Sequence, residues 1–168
     1  MKISDEKSHS KLLSRAVAII ILTSLALKLA IIFRYGNRLS LNSDDLNYIK
    51  SAKVLLESGR FIFQQYNEPT VFVMPLYPAF LAGIFGVFGT GFTGLQAARV
   101  IQALMGSASL LLIFMSARKL FGDAVALLSV ALAAFYMPNL VTPGYMLTET
   151  IFTLLLLLLL YLSIIFTR

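Results

Sequence analysis

The chain has 168 residues, 58% of them hydrophobic and 13% charged, with a mean hydropathy of +0.84. Average soluble domains carry about 25% charged residues, so about half the charge needed to coat a soluble globule is present, and the apolar residues fall in long blocks. A soluble enzyme, a disordered tail and a fibrous repeat all fit poorly; an all-α integral membrane protein is expected. The formal net charge of +6 is read as a bias of cytoplasmic loops and contact with anionic headgroups. No nucleic-acid partner is expected, because no soluble basic face exists to bind one. There is no cysteine, which removes disulfides, thiolate zinc sites and cysteine nucleophiles.

Residues 1–15 are polar and basic, with Lys2, Lys7, Lys11 and Arg15, and precede the apolar block 16–33. Those eighteen residues make a helix of about 27 Å, enough to span. A cleaved signal peptide is the rival reading. The block is long for one, is interrupted by Lys28, and lacks a small-x-small cleavage site. An uncleaved first span with its amino terminus in the cytoplasm is therefore expected. Lys28, in the outer half, is expected to snorkel to the headgroups, the rival role being a pair with a carboxylate.

Residues 34–94 form the expected outer loop, with an interfacial helix over 44–58 and a short apolar stretch over 74–88. That stretch carries Pro75, Pro78, Gly83 and Gly86 and is borderline for a span, so it is read as re-entrant or interfacial. Further spans are expected over 95–116, 124–141 and 147–167, four in all, as one multi-pass module of the plasma membrane. With 74–88 not crossing, Arg118 and Lys119 fall in the cytoplasm, in line with the positive-inside tendency. Asp44, Asp45, Glu68 and Glu149, half of the eight acids in the chain, then face one extracytoplasmic cavity.

In the outer loop Ser43 reads as an N-cap, with Asp44 and Asp45 in the first turn, where carboxylates suit the helix dipole. Leu46, Ile49, Ala52 and Leu56 form an apolar stripe at helical spacing, and Gly59 supplies the stop. The bland role of the acid pair is capping and solvation. The functional one is that crowded, partly desolvated carboxylates raise one pKa toward that of a general base. Glu68, in Asn67-Glu68-Pro69, reads first as a solvated turn residue. Glu149 stands between Thr148 and Thr150 ahead of seven consecutive leucines, Leu154 to Leu160. An acid at a span end is a functional candidate, and a dipole-satisfying acid is its plainer role. The leucine run reads as lipid-facing.

Other signals carry less. Gly89, Gly91 and Gly94 spell G-x-G-x-x-G, but no strand precedes them, so a membrane-surface turn is expected rather than a dinucleotide site. His9 is the single histidine, which leaves no Ser-His-Asp constellation and no histidine cluster for a metal. Oxygen ligands on one side could hold a divalent cation, but no spacing demands one, and no cofactor is certain.

Ser43-Asp44-Asp45-Leu46-Asn47-Tyr48 followed by Leu55-Leu56-Glu57-Ser58-Gly59 resembles the first outer loop of GT-C membrane glycosyltransferases, in the protein mannosyltransferase and aminoarabinose transferase-like branch. Met74-Pro75-Leu76-Tyr77-Pro78, Phe88-Gly89, Ala98-Arg99-Val100, Ala117 to Gly122 and Leu147-Thr148-Glu149-Thr150 follow in the order that the family shows. The resemblance implies inverting transfer of a sugar from a polyprenyl-phosphate donor to an extracytoplasmic acceptor. It maps the catalytic base to Asp44, a supporting acid to Asp45 and a second acidic position to Glu149. Tyr48, Tyr77 and Arg99 are expected to contact sugar, prenyl chain or phosphate, with Glu68 as a further substrate contact. Met74 stands where some members carry a lysine. The chain corresponds to the amino-terminal part of longer enzymes, so a second membrane subunit or a carboxy-terminal part is an expected partner beside the donor and the bilayer. Two other classes compete: a non-catalytic assembly partner derived from the family, and a small transporter or flippase component using Glu149 and Lys28.

Overall fold

The computed structural model of the chain describes residues 2–63 and 74–167. Among these the regular structure is entirely helical, with no strand. Helix α1 covers Lys2–Tyr35, and its stretch Ser10–Tyr35 is long and apolar enough to cross a membrane. The same is true of α4, Phe92–Phe121, and α7, Glu149–Phe166. At about 1.5 Å per residue their lengths are about 39, 45 and 27 Å, against a hydrocarbon core of about 30 Å. The chain is an all-α integral membrane protein.

A fourth apolar stretch is broken. Helix α5, Asp123–Phe135, is followed by α6, Met137–Val141, and a 3-10 turn, Thr142–Gly144. The two halves bend by 62°, where the sequence led us to expect one helix over 124–141. The cause is Pro138. It has no N–H to give the Ala134 carbonyl four residues back, and its ring crowds the preceding turn. That carbonyl and its neighbour at the helix end find side chains instead. Ser24 Oγ donates to the Ala134 carbonyl at 2.8 Å, and Asn139 Nδ2 donates to that of Ala133 at 2.8 Å. Backbone that leaves helical form at membrane depth must be satisfied in this way.

Two apolar clusters hold the bundle. One joins Leu13 and Val17 of α1, Leu110 and Phe114 of α4, and Ala126, Val130 and Ala134 of α5. The α5 residues recur every fourth position, so one small face lets that helix approach both neighbours closely. This cluster puts Lys11 and Arg15 at the same end of the bundle as Arg118 and Lys119. The other cluster lies toward the opposite end. It is built from two shorter helices, α2, Asp44–Ser58, and α3, Leu76–Phe88, against α4 and Met146. With 13 residues, α3 reaches about 20 Å, well short of the core thickness.

Two readings of side-chain direction are corrected. The α2 residues packed inward are Tyr48, Ile49, Ala52 and Leu55, whereas Leu46 and Leu56 of the expected stripe stay exposed. The helix is rotated toward its polar side because Asp45 and Ser51 are both buried on loop backbone: Ser51 Oγ donates to the Ile62 carbonyl. Lys28 does not snorkel. It is fully buried, with Nζ donating to Ser24 Oγ at 3.2 Å, and no carboxylate among the described residues pairs with it.

Candidate active site

The amino end of α2 shows how two adjacent acids take different roles. Asp45 is 1% exposed. Its Oδ2 accepts from Ser40 Oγ at 2.6 Å and from the Leu41 N–H at 2.9 Å, and its Oδ1 accepts from the Ser43 N–H at 3.0 Å. Ser43 occupies the N-cap position but makes no side-chain cap bond; the turn is closed by Asp45 from within the helix. Burial pushes the Asp45 carboxyl up, but hydrogen bonds from Ser40, Ser43, Leu41 and Leu46 outweigh it and leave its pKa below the ordinary value. The expected upward shift of one acid of the pair is therefore not seen at Asp45, because its donors stabilise the anion. Asp44, one residue earlier, is exposed.

Tyr48, one turn further along α2, ties this end to the start of α7. Its pKa is raised, first by burial and then by the negative charges of Asp44 and Glu149, with a hydrogen bond to the Thr148 side chain opposing. Both exposed acids thus bear on one phenol. The Tyr48 ring meets Tyr77 edge-on with centroids 5.0 Å apart and tilts against Phe63 at 5.4 Å. This aromatic contact docks α2 on α3.

Tyr77 is 1% exposed and donates to Gln102 Oε1 at 2.8 Å. Gln102 Nε2 in turn donates to the carbonyls of Pro143 at 3.0 Å and Tyr145 at 2.8 Å. Arg99, 5% exposed, donates from Nε to the Gly144 carbonyl at 2.9 Å and from Nη1 to Gln96 Oε1 at 2.8 Å. These side chains fix the stretch 143–145, at the end of the 3-10 turn, that leads toward α7, and so aim Glu149. In this arrangement Tyr77 and Arg99 are turned to protein groups. Glu68 lies outside the described residues. Gln96, Gln102 and Asn139 were not singled out by sequence reasoning. The signal available was an amide inside an apolar block, which is unfavourable there unless its hydrogen bonds are met.

Glu149 stands in the first turn of α7 at the edge of a cavity of about 290 Å³ between α4, α7 and the broken span. Its polar wall includes Ser109, Asn139, Thr142, Thr150 and Thr153. Ser109 and Thr142 have their hydroxyl hydrogens engaged, on the Met105 and Pro138 carbonyls, and Asn139 uses one of its two amide hydrogens on that of Ala133. What these two hydroxyls offer the cavity is acceptor oxygen. With the Glu149 carboxylate and no lysine or arginine in its wall, the cavity suits a group that brings hydroxyl hydrogens better than one that brings phosphate oxygens. Among the described residues, no group of three His, Cys, Asp or Glu side chains comes together as a metal site.

Residues 68–168, more than half of the chain, match the family described as dolichyl-phosphate-mannose-protein mannosyltransferase. The chain belongs to that family. Its members are membrane glycosyltransferases of the GT-C type that use a lipid-linked sugar donor. No curated protein and no solved structure matches the chain. The stretch shared with the mannosyltransferase family includes Tyr77, Arg99, Gln102 and Glu149 and begins after Asp44, Asp45 and Tyr48.

Proposed function

We propose that this mannosyltransferase-family chain provides the acid-bearing part of a site for inverting transfer of a sugar from a polyprenyl-phosphate donor to an extracytoplasmic acceptor. The observation that carries the reading is the convergence on Tyr48: the Asp44 and Glu149 charges both act on it, and Thr148 bonds it. Two acids more than a hundred residues apart in sequence therefore act on one side chain. Asp44, exposed and outside the Asp45 turn, is the base that takes the proton from the acceptor nucleophile. As that atom bonds to the anomeric carbon, the bond from the anomeric carbon to phosphate oxygen breaks, and polyprenyl phosphate leaves with the electron pair. Asp45 holds the 40–43 turn that presents Asp44, and Glu149 accepts hydrogen bonds from hydroxyls of the sugar in the cavity. Asp44, Asp45 and Glu149 lie extracytoplasmic in this reading, and Lys11, Arg15, Arg118 and Lys119 lie on the cytoplasmic side.

The test is transfer of radiolabelled sugar from a polyprenyl-phosphate donor by membranes that contain the full chain. Loss of a positioned general base costs about 10²–10⁴-fold, so Asp44→Asn should lower transfer at least about 100-fold at unchanged amounts of folded protein. Wild-type transfer by Asp44→Asn would remove the base from this reading.

A further inference from the structure

The buried ammonium of Lys28 has no place in the chemistry above, yet it lies where the broken span is held. Its Nζ donates to Ser24 Oγ at 3.2 Å, and Ser24 Oγ donates to the Ala134 carbonyl at 2.8 Å, the acceptor that Pro138 leaves empty. An ammonium can only donate. Ser24 must therefore present a lone pair to Lys28 and turn its own hydrogen to Ala134. A serine alone in this position could rotate to its own helix carbonyls, as serines within spans do. The cation also sits by the carboxyl end of α5, the negative end of that helix dipole.

The same ammonium lies close behind the wall of the cavity. A Cβ built at Gly106 would lie 3.6 Å from Lys28 Cε and Nζ and 3.7 Å from Pro143 Cγ, and Gly106 and Pro143 both line the cavity. These are ordinary contact distances, and they place the end of the lysine between α1, α4 and the 3-10 turn. We propose that Lys28 is a positioning residue, acting through Ser24 on the α5–α6 break and so on the cavity wall that faces Glu149. Its bearing on sugar transfer rests on the function proposed above; its bearing on the wall does not. Lys28 touches no reacting atom. It sets the angle at which residues 136–144 close the cavity.

The chain has no cysteine of its own, so the wall can be read directly. Tyr136→Cys and Thr153→Cys are introduced together on two sides of the cavity, and bridging by a short bifunctional thiol reagent is measured on the full chain in membranes. Lys28→Met should lower the bridged fraction several-fold, Lys28→Arg should restore most of it, and Ser24→Ala should act like Lys28→Met. The double variant should be no worse than either single one, because both act on one hydrogen bond. In the transfer assay, normalised to folded protein, Lys28→Met should raise KM for the donor about ten-fold, the equivalent of one charge-assisted hydrogen bond, with a smaller change in kcat. Equal bridging in wild type and Lys28→Met, or equal loss in Lys28→Arg and Lys28→Met, would overturn the proposal. Should Lys28→Met fail to accumulate, Ser24→Ala with unchanged bridging would overturn it as well. If wild type shows no sugar transfer, the function proposed above fails while the bridging comparison still decides the role of Lys28.

Discussion

Replacing Asp45 by asparagine separates the two acids most sharply. Ser40 Oγ, the Leu41 N–H and the Ser43 N–H converge on its carboxylate, and the Leu46 N–H adds to them from the helix. Asparagine has one accepting oxygen. Its best placement keeps that oxygen toward Ser40 and Leu41 and turns the amide NH₂ against the Ser43 N–H. One hydrogen bond to a charged group is lost, worth about 1.5–3 kcal/mol, so opening of the 40–43 turn should become roughly 10- to 150-fold easier. Amide hydrogen exchange reads this locally, in bilayer discs at neutral pH. The Ser43 amide should exchange faster in Asp45→Asn by about that factor, and Asp44→Asn should leave it unchanged. Acid should reproduce the effect in the wild type. Asp45 has a lowered folded pKa, so its contribution is complete above the unfolded value of about 3.9. It is lost as pH falls through the lower folded value, after correction for intrinsic exchange. Unchanged Ser43 exchange in Asp45→Asn would refute the division of roles between the acids.

Other consequences follow from particular contacts. A Cβ at Gly94 would lie 1.8 Å from the Gly89 carbonyl oxygen, a clash with backbone, so Gly94→Ala should cost at least about 1–3 kcal/mol and lower the melting temperature in detergent. Tyr77→Phe removes the bond to Gln102 but leaves Gln102 on Pro143 and Tyr145, and should cost only about 1 kcal/mol in the same melt. Cysteine at exposed Ser58 should react with an impermeant reagent added outside, and cysteine at exposed Phe121 only after permeabilisation; the reverse pattern would place Asp44 and Glu149 in the cytoplasm. Glu149→Gln should depress sugar transfer more than stability, checked by comparing initial rate with melting temperature, because the carboxylate is exposed at the cavity edge.

The membrane class, the helical fold and the long spans were legible in the sequence, because block hydropathy and length act without regard to neighbours. The family was legible too, in Tyr77, Arg99 and Glu149 with their flanking residues and order. The stop of α2 at Gly59 was equally local, since φ +69 is a conformation that glycine adopts without strain. Pairing across the bundle was not legible. Lys28 looked like a snorkelling lysine because its helix alone does not reveal that Pro138, 110 residues away from it in the chain, leaves a carbonyl for Ser24. The apolar stripe of α2 gave the wrong inward face because burial there is settled by hydrogen bonds of Asp45 and Ser51 to loop backbone, which outweigh the exposure of two leucines at an interface. Asp44 and Asp45 are the same residue type in adjacent positions, and only the turn at 40–43 decides which of them is buried in donors and which is left free. Local chemistry thus fixed which segments are helices and which could enter the bilayer. The tertiary structure decided which polar groups meet, because a buried donor or acceptor takes the partner that packing brings within about 3 Å.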